Sequence, residues 1–474
     1  MSFKTRLLST QNLHHPGVDI PNLSLFNQFD SQRYPYLLLS SASRQNNTQY
    51  DILIACPQYF LSLSSDKTLS CTDDDVSLSS GFFNTLEKLY QDNKKAASID
   101  QDTLPFTGGW FVYLSYEIAE EIEPCLSLPT LPDGQPLAVA ARCPAAIIFD
   151  KKNHRLLAIA EDKYEYLLDE LEQDYLKIIS QSDVGSPAEQ KNVQIEIETL
   201  VEDDTQPYLD QVETIKQYIL DGDIFQANLS RQWQATLKHH VDDSVLFDVL
   251  SKQNPSSFAA LACLQNMTII SSSPERLISL KNGIVETRPI AGTRPRDSNP
   301  QSDDALAREL LAHPKEQAEH IMLIDLERND LGRVCRPGSI EVDELMVLES
   351  WQHVHHIVSN VRGELADDKS PIDVLRSVFP GGTITGCPKV HCIEILAEME
   401  QHARGAYTGS LGYINNDGSM DFNILIRTMV RDTRGENNTI TFRAGGGIVS
   451  DSIAEKELEE TRAKAKGLLK IFKR

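Results

Sequence analysis

Two segments of the sequence carry glutamates in pairs. Glu316 and Glu319 lie three residues apart, and Glu457 and Glu460 repeat this spacing, with Lys464 four residues further on. Residues three or four apart share one face of a helix, so each pair presents two carboxylates side by side. Two such faces opposite each other would form an all-oxygen site for Mg²⁺, which binds one or two protein carboxylates and keeps water and substrate oxygens. On spacing alone, two solvated helix faces are the simpler interpretation.

Two glycine-rich segments are candidates for binding an anion. AGGGIVSDS (444–452) directly precedes the second glutamate pair, and a loop containing Gly445, Gly446 and Gly447 would let backbone N–H groups approach an anion closely. FPGGTITGCPK (379–389) is a second Gly/Thr-rich loop. It lacks the GxxxxGK[ST] order of a phosphate-binding loop, which disfavours ATP chemistry. A flexible turn is the simpler interpretation of the first segment.

Further candidates are one glutamate and three histidines. Glu275, in SSSPERL, is predicted to lie at a turn between strands, where a glutamate is usually exposed. His353, His355 and His356 lie close enough together to suggest zinc. However, alternate residues of a strand face opposite sides, and no further Cys or His stands at a standard zinc spacing. The pattern therefore argues against zinc and leaves one of these histidines as a candidate for catalysis.

Hydrophobic periodicity predicts the elements that position these residues. Apolar residues at helical spacing predict helices over 315–334 and 452–473, which carry the two glutamate pairs. Residues 208–230 are typical of a helix, a Gly-Asp turn and a strand. The KNG sequence at 281–283 and the Asp-Gly pair at 417–418 predict hairpin turns.

The two parts of the chain differ in pattern. Residues 1–180 are typical of mixed strand and helix, with strand-like runs YLLLSS, YDILIA and AAIIFD. Residues 181–204 are polar and acidic and are predicted to be a linker. The denser pattern over 205–474 predicts a second domain.

The composition excludes several classes of partner. Acidic residues outnumber basic residues by 69 to 45, a net charge of −24, which argues against nucleic acid and anionic membranes. The eight cysteines show no zinc or disulfide spacing, and no apolar run reaches the roughly 18 residues of a membrane span. The N-terminus lacks the apolar core of a signal peptide, so we expect a cytoplasmic protein. An anionic substrate would require a local positive site built from a metal, a few bases or backbone N–H groups.

Seven segments together resemble the chorismate-binding superfamily of enzymes. They are SSSPERL, ETRPIAGTRPR, KEQAEHIMLIDLERNDLGRV, HVHHIVS, FPGGTITGCPK, AYTGSLGYINNDGSMDFNILIRT and FRAGGGIVSDSIAEKELEETRAKA. They occur in the family's order and cover about residues 205–470, and the N-terminal part resembles the family's N-terminal domain more loosely. The resemblance implies an α+β fold in which two large, mainly antiparallel sheets pack against each other with helices outside. It also implies that 205–474 is the catalytic domain and binds chorismate over Mg²⁺.

The resemblance implies a role for each glutamate of the two pairs. Glu319 and Glu460 match positions that coordinate Mg²⁺ directly. Glu316 and Glu457 match positions one helical turn away, which act through metal-bound water. The metal would hold the ring carboxylate of chorismate, and the backbone of 445–447 with Lys464 would bind the same group.

The remaining matched positions surround the rest of the substrate. Tyr407 and Arg427 match residues that bind the enolpyruvyl carboxylate, for which the planar fork of arginine is suited. Glu275 matches the general acid that protonates the departing 4-hydroxyl. His356 and Thr383 match positions lining the ring.

The PIAGT motif, with Ala291, Gly292 and Thr293, bears on the nucleophile. Family members that use water typically carry a lysine at the position of Ala291, and alanine can act neither as a base nor as a nucleophile. We therefore expect ammonia as the nucleophile. The sequence has no glutaminase nucleophile elbow, so ammonia would be free or supplied by a separate glutamine amidotransferase subunit.

Two ammonia-using activities remain open. Anthranilate synthases typically carry PIAGT, whereas aminodeoxychorismate synthases carry either PIAGT or PIKGT. Several longer segments, including YTGSLGYINNDGSMDFNILIRT, GGWFVYLSYEIAEEIEP and YDILIACP, resemble aminodeoxychorismate synthase component I more closely. LLLSS also replaces the LLES-type tryptophan-sensing motif of anthranilate synthases. These segments favour aminodeoxychorismate synthase, and the alternatives are anthranilate synthase component I or an inactive chorismate-binding relative.

Overall fold

The computed structural model describes eight stretches of the chain. They are residues 3–10, 22–40, 49–95, 104–182, 195–297, 299–350, 354–434 and 438–473. His353, one of the three candidate histidines, lies outside the described residues.

Strands and helices alternate irregularly along the described chain. The strands are β1 (Phe3–Thr10), β2 (Tyr36–Leu39), β3 (Tyr50–Ala55), β4 (Tyr59–Leu63), β5 (Leu69–Cys71), β6 (Gly109–Leu114), β7 (Ala138–Cys143), β8 (Ala145–Asp150), β9 (Arg155–Glu161), β10 (Ile195–Glu202), β11 (Gln226–Leu237), β12 (Phe258–Cys263), β13 (Met267–Ser273), β14 (Arg276–Lys281), β15 (Ile284–Thr287), β16 (Ile290–Pro295), β17 (Glu341–Ser350), β18 (Val354–Glu364), β19 (Gly386–Cys387), β20 (Ser410–Asn415), β21 (Met420–Asn423), β22 (Thr428–Asp432), β23 (Thr439–Ile448) and β24 (Phe472–Lys473). The helices are α1 (Ser24–Phe29), α2 (Phe82–Asn93), α3 (Ala119–Ile122), α4 (Leu167–Ser182), α5 (Thr205–Asp221), α6 (Asp243–Gln253), α7 (Pro300–Ala312), α8 (Pro314–Leu331), α9 (Pro371–Val378), α10 (Lys389–Glu400) and α11 (Ala454–Leu469). None of the helices within the described stretches is both long and apolar enough to cross a membrane.

The described strands form two large sheets. The first has the order β1-β9-β8-β3-β2-β12-β13-β22-β23-β11-β10-β24, with β19 also pairing with β11. The second has the order β16-β18-β15-β14-β21-β20-β6-β7-β4-β5, with β17 also pairing with β18. Neighbouring strands are antiparallel apart from the short pair β10–β24. The predicted fold class, two large and mainly antiparallel sheets with helices, is confirmed.

The two sheets pack face to face, and helices cover their outer faces. In β3, Ile52 and Ile54 point into the layer between the sheets, whereas Leu53 points into the layer beneath the helices. This alternation is the two-residue period of a strand. Between the sheets, Tyr36 of β2 stacks on Phe111 of β6 with ring centroids 3.6 Å apart. Outside, α1, α4, α6 and α11 pack on the first sheet, and α2, α8 and α9 pack on the second.

Local sequence signals determine where the helices next to the site begin and end. Pro314 opens α8, and its preceding residue His313 accepts the N–H of Glu316 at 3.4 Å. Proline suits the first helical position because its missing N–H has no partner there in any case. Gly222 ends α5 in the left-handed conformation (φ 86°), which glycine adopts at low cost. The predicted helices at 315–334 and 452–473 are confirmed as α8 and α11, and both predicted hairpins form, between β14 and β15 and between β20 and β21.

Strands from both ends of the chain contribute to both sheets. In the first sheet, β2 pairs with β12, and in the second, β6 pairs with β20. The predicted linker, 181–204, contains β10, which pairs with β11. Dividing the chain at this segment therefore does not separate one sheet from the other.

Candidate active site

Two of the places where the chain passes from one sheet to the other lie side by side. One crossing, through Glu275, joins β13 to β14, and the other, through 424–427, joins β21 to β22. The crossings are hydrogen-bonded to each other: the N–H of Ile424 donates to the carbonyl of Glu275 at 3.0 Å, and the hydroxyl of Ser273 donates to the carbonyl of Ile424 at 2.5 Å. As a result, the charges of Glu275 and Arg427 act on each other.

Glu275 is buried rather than exposed. Its side chain lies at the turn predicted from the sequence, but the residue is only 6% exposed. The hydroxyl of Thr383, in the short turn Gly382–Ile384, donates to its Oε1 at 2.7 Å. Burial raises the pKa of Glu275 to about 7, although Thr383, Lys464 and Arg427 favour the ionised form. A carboxyl group with a pKa near neutrality can both hold a proton and release it, as a general acid must.

His356 is a neutral, buried imidazole next to the PIAGT motif. Thr293 on β16 faces it across the β16–β18 pair, with 2.9 Å between Thr293 Oγ1 and His356 Nδ1. Burial lowers the pKa of His356 to about 4, and nearby Arg427 acts in the same direction. His355 contacts a different group, with its Nε2 3.0 Å from Asp303. The predicted division of neighbouring histidines between opposite strand faces is therefore confirmed.

The strand carrying Ala291 bulges at the next residue. Ala291 is buried, and the pairing of β16 with β18 shifts between Ala291 and Thr293 around Gly292, which has φ 64°. A Cβ on Gly292 would lie 2.7 Å from the carboxylate of Glu316. Arg294 also holds Glu316 through an ion pair of 3.1 Å. The bulge thus brings the PIAGT motif against the start of α8.

Arg427 is a half-buried positive charge on a strained backbone. Its φ of 51° lies in the left-handed region, as does the φ of 61° at Thr408. Such residues cost about 1–3 kcal/mol each and are concentrated at functional sites. Burial lowers the pKa of Arg427 while Glu275 opposes the shift. Because a guanidinium remains charged in proteins, the position suits an anionic ligand.

The predicted anion loop at 445–447 is instead part of a β-strand. Every residue of β23, including the three glycines, pairs with a residue of β11. The loop interpretation was wrong because the strand that pairs with these glycines lies about 200 residues away in the sequence and leaves no local signal. Among the described strands, β22 pairs only with residues 440–442 of β23. The other edge of 445–447 therefore has no partner strand within the described chain.

At that edge, backbone groups of β23 pair with side chains instead of with a strand. The N–H of Gly445 donates to the hydroxyl of Tyr407, and Lys464 Nζ donates to the carbonyl of Gly445 at 2.9 Å. In an antiparallel strand, residues two apart direct their N–H groups to the same edge, so Gly447 also faces this side. Tyr407 is buried, and the edge thus combines amide donors, a phenol and an ammonium group.

The α11 carboxylates lie against the middle glycine of this strand. A Cβ on Gly446 would lie 3.5 Å from an oxygen of Glu457 and 3.5 Å from an oxygen of Glu460. Glu460 also forms an ion pair of 2.9 Å with Lys464. Both carboxylates therefore share one face of α11, as their spacing predicted.

The α8 carboxylates approach the same strand from the other side. Glu319 Oε1 accepts a hydrogen bond of 2.9 Å from Gln226 Nε2. A Cβ on Gly447 would collide with that same amide nitrogen. The Gln226 side chain therefore lies between Gly447 and Glu319. Glu316, by contrast, is directed towards Arg294 and the PIAGT bulge.

The donor chemistry of these residues fits Mg²⁺. Within the described stretches, no three His, Cys, Asp or Glu side chains converge as a preformed metal cluster. Mg²⁺ does not require one, because one or two protein carboxylates suffice when water and substrate supply the other oxygens. Glu319 and Glu460 offer one carboxylate from each of two helices, beside adjoining glycines of β23.

A buried ionic network lies behind Tyr407 and was not predicted from the sequence. Glu400 accepts hydrogen bonds from Arg404 at 2.7 Å, from Arg443 at 3.1 Å and from the Ser230 hydroxyl at 2.8 Å. The Arg404 guanidinium carbon lies 5.9 Å from the centre of the Tyr407 ring. Glu400 and Arg404 are four residues apart, but Arg443 and Ser230 come from β23 and β11, so no spacing in the sequence connects all four residues.

A second buried acid lies near Glu275 and was also missed. Burial raises the pKa of Glu327, and the neighbouring Asp330 adds to the rise. A hydrogen bond with the Thr287 hydroxyl and the charge of Lys389 favour the ionised form of Glu327, but burial outweighs both. Asp330 is in turn paired with Lys389 at 2.5 Å.

Comparison with known proteins identifies the class to which this fold and site belong. A family model described as chorismate binding enzyme matches residues 34–470. Anthranilate synthase component 1 of Synechocystis sp. is 35% identical over 481 residues, which cover 96% of this chain and 94% of that protein. Aminodeoxychorismate synthase component 1 of Bacillus subtilis is 48% identical over 254 residues, which cover 54% of this chain and 53% of that protein.

A solved structure gives the same result. Anthranilate synthase component I from Streptococcus pneumoniae TIGR4 superposes with a TM-score of 0.76 at 29% identity, covering 90% of this chain and 93% of that one. This chain therefore belongs to the chorismate binding enzyme family. Its relatives include both anthranilate synthases and an aminodeoxychorismate synthase.

Proposed function

We propose that this chain is aminodeoxychorismate synthase component I, which converts chorismate and ammonia to 4-amino-4-deoxychorismate for 4-aminobenzoate and folate biosynthesis. The observation that carries the choice of ammonia is the alanine at position 291, buried on β16 beside the Thr293–His356 pair. A methyl group cannot remove a proton from water, and the imidazole beside it is hydrogen-bonded to Thr293. Ammonia already carries a reactive lone pair and needs less activation.

The substrate carboxylates are bound by the positive and amide groups of the site. Arg427 and Tyr407 bind the enolpyruvyl carboxylate, and the open edge of 445–447 with Lys464 binds the ring carboxylate. Buried groups of this kind give strong, charge-assisted hydrogen bonds. Their support lies in the partial burial of Arg427, in the burial of Tyr407 and in the bonds of Tyr407 and Lys464 to Gly445.

Mg²⁺ is the proposed cofactor. Glu319 and Glu460 would coordinate it, with Glu316 and Glu457 acting through water. When bound, the ion would neutralise the ring carboxylate, which four glutamates would otherwise repel. The expectation is supported by the all-oxygen donor set of α8 and α11.

Glu275 is the proposed general acid. With a pKa raised to about 7, its carboxyl holds a proton at neutral pH and can transfer it to the departing 4-hydroxyl group of chorismate. The hydroxyl of Thr383, bonded to Oε1, fixes the orientation of the carboxyl group. His356 stays neutral and lines the ring.

The proposed partner is a glutamine amidotransferase subunit that supplies ammonia. The chain has no glutaminase nucleophile elbow of its own in its sequence. The two relatives described above are both named as first components, which favours a second component here.

The second candidate function is anthranilate synthase component I, in the synthesis of tryptophan. Two observations favour it. The Synechocystis protein, which matches this chain over 94% of its own length, is named anthranilate synthase component 1. In addition, Ala291 excludes a route in which a lysine at this position first attacks C2. The segment around β20–β22, YTGSLGYINNDGSMDFNILIRT, favours the aminodeoxychorismate product instead.

Product analysis distinguishes the two functions. The purified chain is incubated with chorismate, Mg²⁺ and ammonium, and a lyase specific for 4-amino-4-deoxychorismate is then added. We expect 4-aminobenzoate only after the lyase, with no pyruvate before it. Fluorescent anthranilate and pyruvate released by this chain alone would establish the second candidate. No consumption of chorismate under either condition would contradict both.

A further inference from the structure

A segment of the N-terminal part of the chain holds the loop that carries Tyr407. The N–H groups of Arg404 and Gly405 both donate to the carboxylate of Glu117, at 2.6 Å and 3.1 Å. In return, the N–H of Tyr116 donates to the carbonyl of Gly405 at 2.9 Å. Glu117 is 2% exposed and Tyr116 is 3% exposed, so both lie inside the protein.

The same segment also supports the Arg404 side chain. The Tyr116 ring lies under the Arg404 guanidinium, whose carbon is 4.7 Å from the ring centre. The hydroxyl of Tyr116 is buried and makes no hydrogen bond within the described residues, so the contact depends on the ring alone. A cation above an aromatic face is stabilised by the ring quadrupole, more strongly when water is excluded.

Arg404 in turn joins the elements that surround the substrate site. Its guanidinium donates to the carbonyl of Asn228 at 2.6 Å, to that of Ile384 at 3.2 Å, and to Glu400 at 2.7 Å. Asn228 belongs to β11, which pairs with the three glycines, and Ile384 ends the turn that carries the hydroxyl bonded to the general acid. One residue thus fixes three walls of the site relative to one another.

Tyr407 depends on this arrangement. Its N–H donates to the carbonyl of Arg404 at 3.1 Å, and its ring lies 5.9 Å from the Arg404 guanidinium carbon. Its hydroxyl is then aimed at the N–H of Gly445. A displacement of the loop at residues 404–405 would therefore move the phenol away from the open edge of β23.

We propose that Tyr116 and Glu117 are positioning residues for Tyr407, acting through Arg404 and the 404–405 backbone, and that the N-terminal part of the chain sets substrate affinity by this route. The role of Tyr407 in binding a substrate carboxylate rests on the function proposed above. Neither Tyr116 nor Glu117 touches the substrate.

A carboxylate four residues away provides a matched control. Glu121 accepts the N–H groups of Phe82 and Phe83, both at 2.9 Å, at the start of α2. It therefore makes the same kind of contact as Glu117, from the same segment, to two consecutive backbone amides. Its target is the start of a helix on the second sheet rather than the Tyr407 loop.

The test compares Glu117→Gln and Glu117→Ala with Glu121→Gln and Glu121→Ala in the full chain. Removing Glu117 should raise KM for chorismate about tenfold, the effect of losing one hydrogen bond to a charged group, and change kcat less than about twofold. The glutamine variant should lie between alanine and wild type. Both Glu121 variants should lower the thermal midpoint while leaving KM unchanged.

Tyr116 gives a second series in case Glu117→Ala fails to fold. Tyr116→Leu should raise KM because the cation loses its aromatic face, whereas Tyr116→Phe should keep wild-type KM because the hydroxyl has no described partner. A KM unchanged in Glu117→Gln and Tyr116→Leu, with an active wild type, overturns the proposal. An equal rise in the Glu121 variants also overturns it, because the effect would then be general destabilisation.

Amide hydrogen exchange separates this inference from the proposed function. In the absence of substrate, peptides covering residues 404–407 should exchange at least about tenfold faster in Glu117→Ala than in the wild type and in Glu121→Ala. Unchanged exchange there overturns the positioning role whatever the activity. A wild type that consumes no chorismate would instead contradict the proposed function, and the exchange rates would still decide whether Glu117 holds the loop.

Discussion

The candidate site has an enclosed half and an open half, which hold their charges differently. In the enclosed half, Glu275 and His356 are 6% and 4% exposed, and burial moves the pKa of the first up to about 7 and that of the second down to about 4. In the open half, the side chains of Glu460 and Lys464 are 50% and 44% exposed and form an ion pair. Exposed ion pairs of this kind contribute only about 0–1 kcal/mol, because water screens them.

The difference indicates that the two halves of the site are suited to different tasks. Burial sets the protonation state in the enclosed half, so that half is suited to proton transfer. The open half gathers carboxylates in a chain of net charge −24, which is why we propose that a bound cation prepares it for an anionic substrate. Arg427 is half-buried and interacts with Glu275, and it is positive without a metal, so it can attract an anion whether or not a cation is bound.

Removal of the proposed metal ligands should have the largest effect. Glu319→Ala and Glu460→Ala should each abolish turnover, by at least about 10³-fold in kcat, since a bound metal ion contributes several kcal/mol to catalysis. Folding should be little changed, because the Glu460 side chain is half exposed. Steady-state kinetics and a Mg²⁺ titration of each variant provide the measurement.

Glu459 is the control on the same helix. Its side chain is 68% exposed and pairs with Arg462, away from the glycine strand. Glu459→Ala should keep wild-type kcat and the wild-type dependence on Mg²⁺. Near-normal activity of Glu319→Ala at saturating Mg²⁺, or a wild type that stays active in EDTA, would remove the cation from the open half.

Substitution of Glu275 should reduce kcat by about 10²–10⁴-fold, the usual contribution of a general acid. Glu275→Gln keeps the size of the side chain and the acceptor for Thr383 but holds no transferable proton. The pH dependence of wild-type kcat should fall on the alkaline side with an apparent pKa near 7. A Glu275→Gln variant with wild-type kcat would move the acid elsewhere, and Glu327 would be the first residue to examine.

The same substitution should stabilise the folded protein above neutral pH. The pKa of Glu275 rises from its ordinary value of 4.5 to about 7 on folding, so wild-type stability is lost as the pH rises through this window. Because glutamine does not ionise, the stability of the variant does not fall over this pH range. At pH 8, Glu275→Gln should therefore be more stable than wild type by on the order of 3 kcal/mol, and equally stable near pH 4. Urea unfolding at the two pH values measures the difference.

Arg427→Lys should weaken chorismate binding without abolishing turnover. Lysine keeps the positive charge but lacks the planar fork, and the loss of one charge-assisted hydrogen bond, about 1.5–3 kcal/mol, corresponds to roughly a 10–150-fold rise in KM. The left-handed φ of 51° is the same strain for either residue, so stability should change little. Equal chorismate affinity in the variant and the wild type would place Arg427 outside the binding site.

Local features of this fold could be predicted from the sequence, and non-local ones could not. The turns at 281–283 and 417–418 and the helices α8 and α11 follow from short-range signals, and all four form. The pairing of β2 with β12 and of β6 with β20 joins segments more than 200 residues apart and leaves no trace in either segment. The glycine segment was misassigned to a loop for the same reason.

The candidate site follows the same division. Residue type and motif order indicated Glu275, His356, Thr383, Tyr407 and Arg427, but the burial that gives Glu275 its proton-holding character is a property of the packed sheets. Glu117 lies in the segment GGWFVYLSYEIAEEIEP, which carries part of the family resemblance, but nothing in the sequence indicated its contacts. Its partners, the amides of Arg404 and Gly405, lie nearly 300 residues further along the chain.

The last prediction concerns Ala291 and is the smallest in size: we expect the mass of the enzyme to remain unchanged after it is exposed to chorismate. If the product is 4-amino-4-deoxychorismate, nitrogen must arrive at C4, whereas direct attack of ammonia at C2 leads to the anthranilate-type intermediate. Glu275 assists departure of the 4-hydroxyl in either case, so the difficulty lies in where ammonia attacks. A lysine at position 291 would direct ammonia to C4 by attacking C2 first, but an alanine cannot attack C2.

We therefore expect that the enclosed half directs ammonia to C4, and that intact-mass measurement after exposure to chorismate detects no covalent adduct on the chain. Formation of 4-amino-4-deoxychorismate should depend on ammonium in the same reaction. A stable adduct would show that another residue of the site supplies the nucleophile, and anthranilate in place of the C4 product would show that the enclosed half protonates the leaving group without directing ammonia.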